Sequence, residues 1–147
     1  MILADTSVWV DLLRGGASAA GRELYRLVEE EEDVCLTGIV LTEILQGIKS
    51  DREAAVVRDY LLDFPILEPK GLETYLAAAQ IFRQCRQKGR TIRKTVDCII
   101  AAICIEHQLI LLHQDRDFNS IEACTELNCS PSSKPKGPGR PSPFGDG

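Results

Sequence analysis

The run Thr95-Val96-Asp97-Cys98-Ile99-Ile100-Ala101-Ala102-Ile103-Cys104-Ile105-Glu106-His107-Gln108-Leu109-Ile110-Leu111-Leu112-His113-Gln114-Asp115 decides the fold class. Val96, Ile99, Ile100, Ala101, Ile103 and Ile105 cover almost the whole circumference of a helix over 95–108. Such a helix belongs in the middle of a fold, because a surface helix keeps one polar face. In the strand Leu109 to His113 the first four residues are apolar without interruption, as a strand covered on both faces must be. An acid, Asp97, stands in the helix's first turn, and another, Asp115, follows the strand.

Reading outward, the same alternation repeats. Ile2-Leu3-Ala4 is a short buried strand closed by Asp5, and the hydroxyls of Thr6-Ser7 suit a helix start. That helix carries Val8, Trp9, Leu12 and Leu13 and stops at Gly15-Gly16. A helix over 17–31 buries Leu24, Leu27 and Val28, and Val34-Cys35-Leu36 forms a strand. A helix from about Val40 to Gly47 turns Leu41, Ile44, Leu45 and Ile48 inward, with Glu43 in its first turns. Asp51 to Leu62 is amphipathic, Phe64 to Leu67 is a third strand, and Gly71 to Lys88 is a long helix. Its core stripe is read as Leu72, Leu76, Ala79 and Phe82. Strands alternating with helices predict an α/β fold of three layers, a mostly parallel central sheet flanked by helices. Ligands of such sheets collect beyond the strands' carboxyl ends, where Asp5 and Asp115 lie.

Length and composition fit one domain, over 1–129, followed by a Pro/Gly/Ser/Lys-rich tail over 130–147 that is predicted to be disordered. No apolar run reaches a membrane span, and Met1-Ile2-Leu3-Ala4-Asp5 lacks the basic opening of a secretory signal. A cytoplasmic protein without a membrane partner is therefore expected. The six cysteines match no paired zinc spacing and read as buried free thiols. The net charge is −5, and the segment from Pro131 contributes +2, leaving −7 on residues 1–130. A chain this acidic cannot hold a polyphosphate by its overall field. It needs a local basic track and bound cations.

Four acids stand at informative places: Asp5, Glu43, Asp97 and Asp115. Singly, Glu43 and Asp97 equally suit the positive end of a helix dipole, Asp5 a helix cap, and Asp115 a turn. Gathered at one sheet edge, they are a different matter. Two carboxylates about 4 Å apart repel by about 4 kcal/mol at an effective dielectric of about 20. Several stay ionised together only if cations neutralise them. An all-oxygen set suits Mg²⁺ or Mn²⁺, which serves phosphoryl displacement without a histidine.

Asp5-Thr6-Ser7-Val8-Trp9, Val40-Leu41-Thr42-Glu43-Ile44-Leu45-Gln46-Gly47, Thr95-Val96-Asp97-Cys98-Ile99-Ile100-Ala101-Ala102 and Leu111-Leu112-His113-Gln114-Asp115-Arg116-Asp117-Phe118 occur in this order. Together they resemble the VapC-type toxins of VapBC toxin–antitoxin pairs, PIN-domain endoribonucleases, over about residues 1–125. The resemblance implies hydrolysis of RNA phosphodiesters with Mg²⁺ or Mn²⁺, and metal ligands at Asp5, Glu43, Asp97 and Asp115. It puts Thr6 in the outer shell. Asp-Arg-Asp offers two candidates at the last strand's end; Asp115 is preferred, with Asp117 outer-shell or a turn former. It also implies a VapB-like antitoxin and a homodimer.

Arg83, Arg86, Lys88, Arg90, Arg93 and Lys94 precede Asp97. They are either a solvated helix end or a rail for an RNA backbone, with Arg90, Arg93 and Lys94 the nearest candidates. His107 and His113 are read as structural, and Trp9 as core or subunit interface. Two rival readings remain. A catalytically silent PIN-like module would bind RNA or protein only. A phospho-acceptor domain needs an acid at the end of a central strand, and the polar Arg93-Lys94-Thr95 leads no strand into Asp97.

Overall fold

The computed structural model describes residues 1–131. The strands β1 (Ile2–Ala4), β2 (Val34–Thr37), β3 (Ile66–Leu67), β4 (Ile110–Leu112) and β5 (Asn128–Ser130) form one sheet in the order β3-β2-β1-β4-β5. Every pairing is parallel. All three residues of β1 and all four of β2 are buried, although successive side chains of a strand point to opposite faces. Both faces of the central strands are therefore covered, as their unbroken apolar runs predict.

Among the described residues seven helices do the covering: α1 (Thr6–Leu13), α2 (Ala19–Glu29), α3 (Gly38–Gln46), α4 (Asp51–Leu61), α5 (Leu72–Gln87), α6 (Thr95–Glu106) and α7 (Arg116–Cys124). They pack in two groups, with α1 on α2 and α3, α3 on α4, and α5 on α6 and α7. Helix α6 lies deepest, with Ile100, Ala101, Ile103 and Cys104 fully buried. Trp9 is wholly enclosed, its ring edge-on to Phe64 at 5.0 Å. All six cysteines are buried free thiols, which agrees with their reading as small hydrophobes.

Several expectations need correction. The stripe read as the core face of α5 points outward: Leu72 is 72% and Leu76 66% exposed, Ala79 is exposed and Phe82 half-buried. The buried side of α5 is instead Thr74, Ala78, Ile81 and Cys85, a smaller and more polar set that fits against α6 and α7. Helix α3 begins at Gly38, with the Thr37 hydroxyl accepting from the Val40 amide, so Glu43 sits mid-helix and not in the first turns. Neither α7 nor β5 was anticipated. Strand β5 includes Ser130, buried beside Leu112, where a tail was expected. The rest of the tail, from residue 132, lies outside the described residues. No helix among the described residues is long and apolar enough to cross a membrane.

Candidate active site

Strands β1 and β4 run side by side with Ala4 opposite Leu112, and the Asp5 amide donates to the Leu112 carbonyl at 3.0 Å. The chain thus leaves the sheet at Asp5 and at His113 to Asp115 on one edge, the carboxyl edge. Asp5 occupies the N-cap position of α1, yet its carboxylate makes no capping hydrogen bond. Asp97 enters from the first turn of α6, and Asp115 caps α7 by accepting the Asp117 amide at 3.0 Å.

Three carboxylates converge closely. One oxygen from each of Asp97, Asp115 and Asp117 lies within 4.8 Å of the others. Asp5 belongs to the same electrostatic group, since its charge acts on Asp97 and is acted on by Glu43 and Asp115. Glu43 is held from α3 by the Thr6 hydroxyl, which donates to its Oε1 at 2.7 Å. Four helix starts or faces therefore feed acids to one sheet edge.

Burial, ahead of every other cause, raises the pKa of two of these acids, Asp5 and Asp97. Asp97 is pushed up to about 7 by burial first, then by the charges of Asp5 and Asp115, with Lys94 opposing. Asp5 is pushed up to about 6 by burial, although the Thr6 amide hydrogen bond opposes the rise; Glu43 and Asp115 add to it. Asp97 is 5% exposed, and its Oδ2 has no hydrogen-bond partner among the described residues. Leaving a buried acceptor unpaired costs about 1–3 kcal/mol. A side chain kept at that cost beside three other acids could hold a positive ligand.

The basic residues divide. Arg93 is exposed but paired: its Nη2 donates to Asp115 Oδ1 at 3.1 Å and its Nε to Asp117 Oδ2 at 3.1 Å. Lys94 is exposed, forms no ion pair among the described residues, and acts through its charge on Asp5 and Asp97. Arg83, Arg86, Lys88 and Arg90 are exposed, with the Arg86 guanidinium over the Phe82 ring.

His113 is buried, which lowers its pKa and keeps it neutral, and its Nδ1 accepts the Asp115 amide at 3.1 Å. It shapes the turn carrying Asp115, a structural part, while His107 Nε2 pairs with the Glu68 carbonyl. Two residues were under-read from sequence. The sequence ranks Asp117 behind Asp115, but it is buried and stands in the close trio. The Asp-x-Asp spacing at a helix start was its signal, since the N-cap and second helical position share one end. The contacts of Arg93 span 22 and 24 residues and left no local signal.

Known proteins share both the sequence and the fold. The PIN domain family matches residues 2–123. A VapC ribonuclease of Mycobacterium bovis is 35% identical over 131 residues, spanning 88% of this chain and 98% of that protein. A VapBC-1 structure from nontypeable Haemophilus influenzae superposes with a TM-score of 0.67 at 18% identity, over 88% of this chain and 96% of that one. A toxin–antitoxin complex from Klebsiella pneumoniae gives 0.60 at 22% identity, over 76% and 83%. The two structures speak for the fold; the sequence match speaks for descent. This chain belongs to the PIN domain family, alongside its VapC ribonucleases.

Proposed function

We propose that the chain is a metal-dependent endoribonuclease and the toxin of a toxin–antitoxin pair. The observation that carries the reading is the buried, unpartnered Asp97 Oδ2 in a trio with Asp115 and Asp117. Relatives named as ribonucleases support the RNA-cleaving part, and the fold shared with a chain of a toxin–antitoxin complex supports the antitoxin partner.

The donor set fits a hard divalent ion. Every candidate ligand is a carboxylate oxygen; burial first, then neighbouring acids, raises the pKa values of Asp5 and Asp97, and a dication would offset both costs of holding them charged. Asp97, Asp115 and Asp117 would hold it, with Asp5 and Glu43 completing the pocket. Bound there, Mg²⁺ or Mn²⁺ supplies charge neutralisation at a scissile phosphodiester and lowers the pKa of water. Thr6 fixes the Glu43 carboxylate toward the pocket through its 2.7 Å hydrogen bond. Lys94, and beyond it Arg90, offers the positive charge that brings a phosphate backbone to an otherwise repelling cleft. Arg93, paired with Asp115 and Asp117 yet 61% exposed, adds its charge at the same rim.

The test is cleavage of an RNA by the purified chain with Mg²⁺ or Mn²⁺, with EDTA, and with the Asp97→Asn variant. Cleavage is expected only from wild type with metal. Cleavage that persists in EDTA would overturn the metal role. RNA binding without cleavage would favour a silent PIN-like module.

A further inference from the structure

Arg93 contacts the acidic cluster in a way that divides the oxygens of two carboxylates. Asp117 Oδ2 accepts from both the Arg93 amide, at 3.2 Å, and the Arg93 Nε, at 3.1 Å. Asp115 Oδ1 accepts from Arg93 Nη2, at 3.1 Å, and from the Asp117 amide, at 3.0 Å. One oxygen of each acid is therefore doubly hydrogen-bonded. The other oxygen of each accepts no hydrogen bond among the described residues. The two acids stand with Asp97, whose buried Oδ2 is likewise unpartnered.

We infer that Arg93 is a positioning residue that bridges Asp115 and Asp117 through their outer oxygens and presents their inner oxygens, with Asp97, to a divalent cation. The inference rests on the metal-centre reading above and assigns the bridge to a residue outside the ligand set. A guanidinium suits the task because its donors lie in one rigid plane and reach two carboxylates at once. An ammonium offers the same charge from a single nitrogen. The contact also lowers the cluster's net charge, so Asp115 and Asp117 can stay close before any ion arrives. The Arg93 side chain remains 61% exposed, against 25% for Asp115 and 11% for Asp117, so the bridge sits at the rim with its acids facing inward. Hydrogen bonds to the far side of metal ligands set ligand orientation, and their loss weakens metal affinity roughly 10–100-fold.

The test is Mn²⁺ affinity of the full chain without RNA, by calorimetry and by electron paramagnetic resonance of free Mn²⁺. Wild type is compared with Arg93→Lys, Arg93→Gln and Arg93→Ala, each checked for folding by near-ultraviolet circular dichroism. Glutamine keeps part of the stem and one donor, so it remains readable if the alanine variant unfolds. The glutamine and alanine variants are expected to bind Mn²⁺ roughly 10–100-fold more weakly, and lysine to restore only part of the loss. Lysine equal to wild type would overturn the bridge in favour of charge alone. Tighter binding by alanine or glutamine would make Arg93 a competitor of the ion. Unchanged affinity in all three would remove it from the site. A wild-type chain that binds no Mn²⁺ overturns the metal centre itself, and this inference with it.

Discussion

Thr6 and Glu43 are joined by a 2.7 Å hydrogen bond between Oγ1 and Oε1 across 37 residues, linking the start of α1 to the middle of α3. Thr6 follows Asp5 at the end of β1, so this bond ties two of the pocket's acids to one turn. A hydroxyl that orients a carboxylate contributes little to overall stability where the pair is half-exposed, and much to a site that needs its geometry held. Thr6→Val, similar in shape without the hydroxyl, is expected to cut metal-dependent RNA cleavage by roughly 10-fold or more while shifting unfolding by about 1 kcal/mol at most. Thr6→Ser should restore activity. Steady-state cleavage assays beside urea unfolding check both, and a fully active valine variant would detach the hydroxyl from the site.

The raised pKa values of Asp5 and Asp97 make a prediction about stability and pH. Both acids titrate at 3.8 ordinarily but at about 6 and about 7 in the fold. Between these limits the folded chain holds protons that the unfolded chain has released. The resulting stabilisation is fully present below 3.8 and is lost as pH rises through about 6 and 7. Metal-free protein should therefore be less stable at pH about 8 than at pH about 5.5, by an amount on the order of a few kcal/mol. Mg²⁺ binds the deprotonated site, so it should raise the melting temperature more at the higher pH and narrow the difference. Melting curves at the two values, each with EDTA and with Mg²⁺, decide it. An equal Mg²⁺ shift at both would count against titrating acids at the ion's site.

Asp97→Asn extends the argument to a single side chain. Removing one charge from a buried cluster of like charges should stabilise the metal-free protein at pH about 8, by roughly 1–3 kcal/mol, while abolishing cleavage. The melting response to Mg²⁺ should shrink at the same time. An asparagine variant that is destabilised, and still responds fully to Mg²⁺, would mean that Asp97 faces its neighbours without sharing an ion with them.

Much of this was legible in sequence where the pattern was local or strongly apolar. Helix α6 and strand β4 announced themselves because burial on all sides leaves no polar face to confuse the period. Asp5, Asp97 and Asp115 followed, since each adjoins the end of such an element. Three things were not legible. Strand β5, Asn-Cys-Ser, is three residues without an apolar run, made a strand by pairing with β4. The Arg93 bridge depends on segments that meet only in the fold. Helix α5 carries two candidate stripes, and the larger side chains of Leu72 and Leu76 suggested the wrong one. Packing against α6 and α7 selects the face with Thr74 and Ala78, because small side chains let helices approach closely.

That choice of face predicts unequal costs along one helix. Ile81 is 5% exposed, and Ile81→Ala should cost about 2–5 kcal/mol through lost burial and a cavity between α5 and its neighbours. Leu76 is 66% exposed, and Leu76→Ala should change stability by no more than about 0.5 kcal/mol. Urea unfolding of the two variants at several protein concentrations measures this. A cost at Leu76 close to that at Ile81 would mean the stripe is covered in solution. If that cost fades on dilution, the cover is another molecule, as the homodimer implied by the sequence resemblance would be. If it does not, α5 packs the other way round and the placement of its inner face is wrong.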